Sequence, residues 1–294
     1  MSVREEKFLA LAAIDYADKS LDELRELFRK VLMQGMHGLC FSPYLEGQKP
    51  GDQLSEEQIR HRMEIIAPFT KWVRSFSCTE GNEMIPIIAR EYGLKTMVGA
   101  WLGDDKNINE KEVAGLIDLA NKGYVDIAAV GNEVMYRGDL TEEELLEQIY
   151  KAKNAIKGIP VGYVDAYYEF TERPAITEAC DVILANCYPF WEGCDQDYSL
   201  LYMKDMFNRA ARAGQGKKVI ISETGWPNKG TNLEGAFPSE ENAIKYFINT
   251  QKWSKEDDIE IFYFSSFDES WKVGSEGDVG AYWGIWDKNE KLKF

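Results

Sequence analysis

Histidine is scarce in this chain: there are two in 294 residues, His37 and His61, both in the first quarter. A Ser-His-Asp triad or a histidine metal site therefore has little to work with. The five cysteines, Cys40, Cys78, Cys180, Cys187 and Cys194, are odd in number and lack the spacing of zinc ligands. No metal site is expected. Cys40 and Cys78 sit in apolar runs, as small buried thiols do, and a reduced, cytoplasmic setting fits the set best. No apolar run approaches the roughly 20 residues of a membrane span. Residues 8–14 are apolar but lie behind Glu5 and Glu6 and run into Asp15 without a cleavage site. No signal peptide is expected. Positive charge is also short, with 34 Lys and Arg against 50 Asp and Glu, a net −16. That counts against nucleic acid or an anionic membrane as partner, and the acidity reads as solubility. A Gly-rich phosphate loop is missing after the first strand-like run, where Cys40-Phe41-Ser42-Pro43-Tyr44 follows instead. This disfavours a doubly wound nucleotide-binding sheet.

What the chain does have is rings and alternation. Aromatic residues are 13%, with eight Trp and fifteen Tyr, more than a core of this size needs. Surplus rings suit a site for a flat, polar ligand such as a sugar, although each ring alone also fits core packing. Eight short apolar runs predict strands at 38–42, 72–76, 96–100, 127–130, 161–164, 182–185, 218–222 and 259–264. Amphipathic runs predict helices at 21–32, 55–67, 82–92, 109–121, 141–156, 200–213 and 239–253. Ser20, Ser55, Thr141 and Ser239 stand as helix starts, the first three with Glu23, Gln58 and Glu144 three residues on, and Ser239 with Asn242. Gly35, Gly93, Gly123, Gly158 and Gly214 stand as helix ends. Eight buried strands alternating with helices imply an α/β fold closed as a single (β/α)8 TIM barrel over residues 20–294. Residues 1–19 form an N-terminal extension without an assigned role.

In such a barrel the site lies at the C-terminal strand ends. Two carboxylates follow apolar strands directly: Glu133 closes AAVGNE on strand four, and Glu223 closes VIISE on strand seven. They face each other across the mouth. Cleavage of a glycoside needs such a pair, one to protonate the leaving oxygen and one to attack or to activate water. Around them the strand ends and their loops offer Tyr44, Arg74, Phe76, Trp101, Asn132, Tyr136, Tyr188, Phe190, Trp191, Trp226, Glu269, Trp271 and Lys272 as substrate contacts. Asp165 and Lys272 fit structural pairing as well as they fit ligand contact.

VGNEV at 130–134 and ISETGWP at 221–227 resemble the signatures of glycoside hydrolase family 17, which holds β-1,3-glucanases and β-1,3-glucanosyltransferases. GLCFSPY at 38–44, VRSF at 73–76, NCYPFW at 186–191 and FDESWK at 267–272 are similar to further family segments in register. The resemblance covers residues 36–287 and is nearest to compact bacterial members. It implies Glu133 as acid/base and Glu223 as nucleophile of a retaining reaction, without metal or organic cofactor. It also implies Asn132 on a sugar 2-hydroxyl, Tyr188 near the nucleophile, and Glu269 and Lys272 on sugar hydroxyls. The expected partner is a β-glucan or its oligosaccharides, bound by a monomer. Acid catalysis near neutral pH requires a raised pKa at Glu133, from burial or from Glu223. The alternatives are glucanosyl transfer through the same intermediate, and a glucan-binding barrel without catalysis. Two others are disfavoured: a metal enzyme built on Glu133, Asp165, Glu223 and Asp268, and a Schiff base on Lys272.

Overall fold

The computed structural model describes Tyr16 and residues 18–294. The rest of the 1–19 extension lies outside the described residues. Among the described residues eight strands form: β1 Met36–Cys40, β2 Thr70–Ser75, β3 Lys95–Ala100, β4 Ile127–Asn132, β5 Val161–Ala166, β6 Val182–Asn186, β7 Val219–Thr224 and β8 Ile261–Tyr263. All neighbours pair in parallel, and β8 closes on β1, so the sheet is a barrel in sequence order. Strands such as β4 and β6 are buried along their whole length, which explains their unbroken apolar runs.

Helices cover the outside: α1 Leu21–Met33, α2 Glu56–Ile66, α3 Met84–Glu91, α4 Lys106–Asn121, α5 Val134–Arg137, α6 Glu142–Ala155, α7 Glu169–Glu172, α8 Pro174–Ala179, α9 Gln196–Gly214 and α10 Glu240–Glu256. Ser20, Ser55 and Thr141 each close a reciprocal capping box with Glu23, Gln58 and Glu144. Ser239 accepts from the Asn242 amide at 3.0 Å. These caps satisfy amides that the first helical turn leaves open.

The differences from the periodicity reading have local causes. The sequence shows no helix between β5 and β6, yet two short ones, α7 and α8, fill that connection, the second opened by Pro174. Their lengths are below what a 3.6-residue period can reveal. Gly214 does not end α9 as a left-handed residue; Gln215 does, with φ 48°. Gly214 is small for another reason, since a Cβ there would lie 3.1 Å from Ile183 Cγ1 on β6. Strand eight is shorter than 259–264, because the Ile259 amide is taken by the Ser254 carbonyl at 2.9 Å.

Four strands run on past their apolar stretches into polar residues: β4 to Asn132, β5 past Asp165, β6 to Asn186 and β7 past Glu223. The register slips between β4 and β5, between β6 and β7, and between β7 and β8, each time near these C-terminal ends. Such bulges re-aim side chains at the rim of a barrel.

Candidate active site

At the end of β4 the chain turns abruptly. Gly131 has φ +85°, and a Cβ on it would meet Val134 Cγ2 at 2.9 Å, so only glycine fits. Glu133 follows with φ 52° and ψ 32°, a left-handed conformation uncommon for a side chain of its size. Its amide donates to the Val164 carbonyl at 2.8 Å, and its own carbonyl accepts from the Arg137 amide at 2.9 Å. The Glu133 carboxylate accepts from Asn186 Nδ2 at 2.8 Å, and Ser222 Oγ donates to the other end of that amide at 2.8 Å. Burial pushes the Glu133 pKa up to about 7, and the charge of Glu223 adds to the rise. Asn186 and, more weakly, Arg137 pull the other way.

Glu223 on β7 is buried. Its Oε1 accepts from Arg74 Nη1 at 2.5 Å and its Oε2 from Tyr188 Oη at 2.7 Å. Arg74, buried on β2, also donates to Asn132 Oδ1 at 2.6 Å and to the Ser222 carbonyl at 3.0 Å. Its guanidinium stacks 4.3 Å from the Phe76 ring centroid. Burial, and then the Glu223 charge, hold the Tyr188 phenol protonated, so it stays a donor. One carboxyl group thus retains a proton near neutrality, and the other lies between two donors.

A cavity of about 550 Å³ opens above the pair, within the range of small-ligand sites. Of the residues singled out in the sequence, Glu133, Tyr136, Tyr188, Trp191 and Glu223 line it. Asn132, Arg74 and Phe76 are not in the lining but join it through Glu223, by the contacts just described. Lys272 pairs with Glu269 at 2.9 Å and lies 4.0 Å from the ring centroid of Phe264, which lines the cavity. Glu269 also accepts from Trp271 Nε1 at 3.0 Å, and Trp271 meets Tyr44 edge-on at 6.0 Å. None of these four is among the lining residues.

Phe190 and Trp226 do not line the cavity. They are buried against each other at 5.3 Å, and Trp226 Nε1 donates to the Phe237 carbonyl. Trp226 packs on Tyr246 of α10, and Phe190 stands behind Trp191 and Trp283, which do line the cavity. Trp101 lies outside the lining too, 39% exposed beneath the Arg137 guanidinium.

The lining also includes Tyr167, Tyr168, Asn186, Glu192, Phe264, Ser275, Glu276 and Trp283, absent from the sequence-derived set of contacts. Asn186 had a readable signal, a polar residue closing an apolar strand. The others lie in loops, where no period marks them.

The match to known proteins agrees with this geometry. A family model described as the BtgE/BtgC glycoside hydrolase domain matches residues 38–284. A glucan 1,3-beta-glucosidase of Schizosaccharomyces pombe is 27% identical over 250 residues, spanning 79% of this chain and 78% of that protein. Another, from Arthroderma benhamiae, is 30% identical over 237 residues, spanning 74% of this chain and 76% of that protein. The crystal structure of a glycoside hydrolase family 17 β-1,3-glucanosyltransferase from Rhizomucor miehei superposes with a TM-score of 0.79 at 27% identity, covering 89% of this chain and 96% of that one. An active-site mutant of that enzyme has been solved in complex with laminaritriose. These relatives are fungal, whereas the sequence likeness pointed toward bacterial members. The family model spans well over half of the chain, so the protein is a glycoside hydrolase and belongs to the BtgE/BtgC glycoside hydrolase domain family, within family 17.

Proposed function

We propose that the protein cleaves β-1,3-linked glucan or its oligosaccharides with retention of configuration. The observation that carries this is the division of labour between two identical side chains. Glu133 holds a proton up to about pH 7, and Glu223 offers a carboxylate fixed at both oxygens. In the first step Glu133 protonates the leaving glycosidic oxygen while Glu223 attacks the anomeric carbon, forming a glycosyl ester. Esterification removes the Glu223 charge. Glu133, now ionised, then takes a proton from water as that water attacks the anomeric carbon and breaks its bond to Glu223, which leaves as a carboxylate. Arg74 occupies Asn132 Oδ1, which leaves the Asn132 amide nitrogen as the end that donates to a sugar hydroxyl.

The choice of β-1,3-glucan rests on the relatives, which are named as glucan 1,3-beta-glucosidases. Exposed rings at the cavity rim, Tyr136 at 62% and Trp191 at 40%, suit the apolar faces of glucose units. Product analysis on laminarin and laminarihexaose, with wild type beside Glu223→Ala, tests the reading. Shorter oligosaccharides from wild type alone are expected; equal release by both proteins would remove Glu223 from the chemistry.

A second reading, glucanosyl transfer, is favoured by that same open aromatic rim and by the Rhizomucor miehei transferase. A sugar hydroxyl would then intercept the ester in place of water. Mass spectrometry decides: products longer than laminarihexaose mean transfer.

A further inference from the structure

Glu133 sits in a backbone conformation that L side chains rarely adopt, and such a residue persists only where its surroundings fix it. On the N-terminal side the Val164 carbonyl holds its amide. On the C-terminal side the amides of Met135 and Tyr136 go to one pair of side chains on β5. The Met135 amide donates to Tyr163 Oη at 2.9 Å, and the Tyr136 amide donates to Asp165 Oδ2 at 3.3 Å. Tyr163 Oη in turn donates to the same Asp165 oxygen. Asp165 Oδ1 accepts from the Ala166 amide at 2.8 Å. Tyr163 and Asp165 stand two residues apart on one strand and so share a face. Both are wholly buried, and neither lines the cavity. Every partner of Asp165 is a donor, so the network calls for the ionised carboxylate. The Tyr163 ring also lies against Gly131, 3.3 Å from where a Cβ would be. From Gly131 to Tyr136, then, the turn that carries Glu133 is wrapped around this one tyrosine and its aspartate.

We propose that Tyr163 and Asp165 act as a positioning pair for Glu133, fixing the turn that aims its carboxyl group and biasing that group to keep its proton. The inference rests on the reading of Glu133 as acid and base. The groups facing Glu133 are Glu223 with its partner Arg74 from the β7 and β2 side, Asn186 from β6, Asp165 from β5 and Arg137 from α5. Glu192, Glu276, Tyr168 and Tyr188 face it from the cavity walls. Among these, Asp165 is a buried carboxylate tied to the Glu133 turn itself.

The test compares Tyr163→Phe and Asp165→Asn with Glu133→Gln on two substrates. Laminarihexaose needs its leaving oxygen protonated; 2,4-dinitrophenyl β-laminaribioside has a leaving group that departs without help. The ratio of kcat/KM on the two reports acid catalysis in the first chemical step. General acid catalysis contributes about 10²- to 10⁴-fold, so a misaimed acid should cost laminarihexaose cleavage roughly 10-fold or more. The activated substrate should change less than about threefold, as a poorly placed acid is not called on. Asp165→Asn should also move the upper limb of the pH profile to lower pH, because a negative charge facing Glu133 is gone. Equal losses on both substrates in Tyr163→Phe, which keeps the ring, overturn the pair's role while Glu133→Gln still spares the activated substrate. If Glu133→Gln itself loses both equally, the acid assignment fails, and that result is distinct from failure of the pair. Circular dichroism melts accompany each variant, and a Tyr163→Phe protein that melts like wild type with an unchanged ratio also overturns the proposal.

Discussion

At Glu223 each carboxylate oxygen has its own donor, Arg74 at 2.5 Å and Tyr188 at 2.7 Å, whereas Glu133 takes a neutral hydrogen bond from Asn186 at 2.8 Å. That contrast sets the pH behaviour. With Glu133 raised to about 7, chiefly by burial, kcat/KM should hold up to about pH 7 and fall above it as the acid is lost. Glu223→Gln should lower the Glu133 titration, read by NMR on labelled glutamate, because the neighbouring charge that raises it has gone. Stability follows with a definite sign. The folded value lies above the ordinary carboxyl value of 4.5, so protonated Glu133 favours the fold. Its contribution is full below that value and is lost as pH rises through about 7. Glu133→Gln should therefore match wild type near pH 4 and exceed it at pH 8 by about 1–3 kcal/mol, measured by urea titration at both pH values. Arg74 is a second single-residue case. It binds Glu223, Asn132 and a carbonyl in a fixed fork, which a lysine cannot reproduce. Arg74→Lys should lower kcat/KM on laminarihexaose by on the order of 100-fold, the cost of removing a preorganised donor, in a protein that still folds.

Among the elements, the bulged C-terminal ends of β4, β6 and β7 carry the chemistry, and they are also where the sequence reads least well. Apolar periodicity located the eight strands, cap residues placed the starts of α1, α2, α6 and α10 to within a residue, and α4 and α9, whose Asp caps went unread, begin three and four residues earlier than their periodicity showed. Periodicity stopped β4 at Val130 and β6 at Ala185, because Asn132 and Asn186 are polar, although both lie in their strands. A buried polar residue looks like a loop until its hydrogen-bond partner is known, and those partners come from other strands. Glu133 and Glu223 were legible as a pair: either acid alone at the end of a buried strand suits a cap or a salt bridge, but two of them across one barrel mouth, ringed by aromatic residues, point to chemistry. Phe190 and Trp226 stand behind the lining rather than in it, because the sequence does not say whether a ring at a strand end faces the cavity or packs behind the rings that do. Trp283 and Glu276 were invisible, since loop conformation brings them to the cavity. The turn after β4 allows an element-level prediction. Gly131→Ala puts a Cβ at φ +85° and against Val134, so it should cost about 1–3 kcal/mol in chemical denaturation. It should also lower activity by more than that loss of folded protein explains, as the side chain two residues on is Glu133.

Over the whole molecule, the charge of −16 acts at a distance that no single contact does. Beside the protonated Glu133, Glu192, Glu223 and Glu276 line the same cavity, so local and global fields share a sign at the mouth. A neutral glucan meets no barrier from this, and its capture depends on rings and hydrogen bonds. An anionic polymer is repelled before it reaches either. The Debye length is about 30 Å at 0.01 M salt and about 10 Å at 0.1 M, so added salt removes the repulsion over the approach path. For carboxymethylated β-1,3-glucan of low substitution, kcat/KM should rise about 3- to 10-fold from 10 to 300 mM NaCl, on the order of modest electrostatic steering. Laminarin, assayed in the same buffers, should change less than about 1.5-fold. Cleavage of the anionic polymer with a flat salt response would mean that the acidic surface serves solubility alone and does not sort substrates by charge.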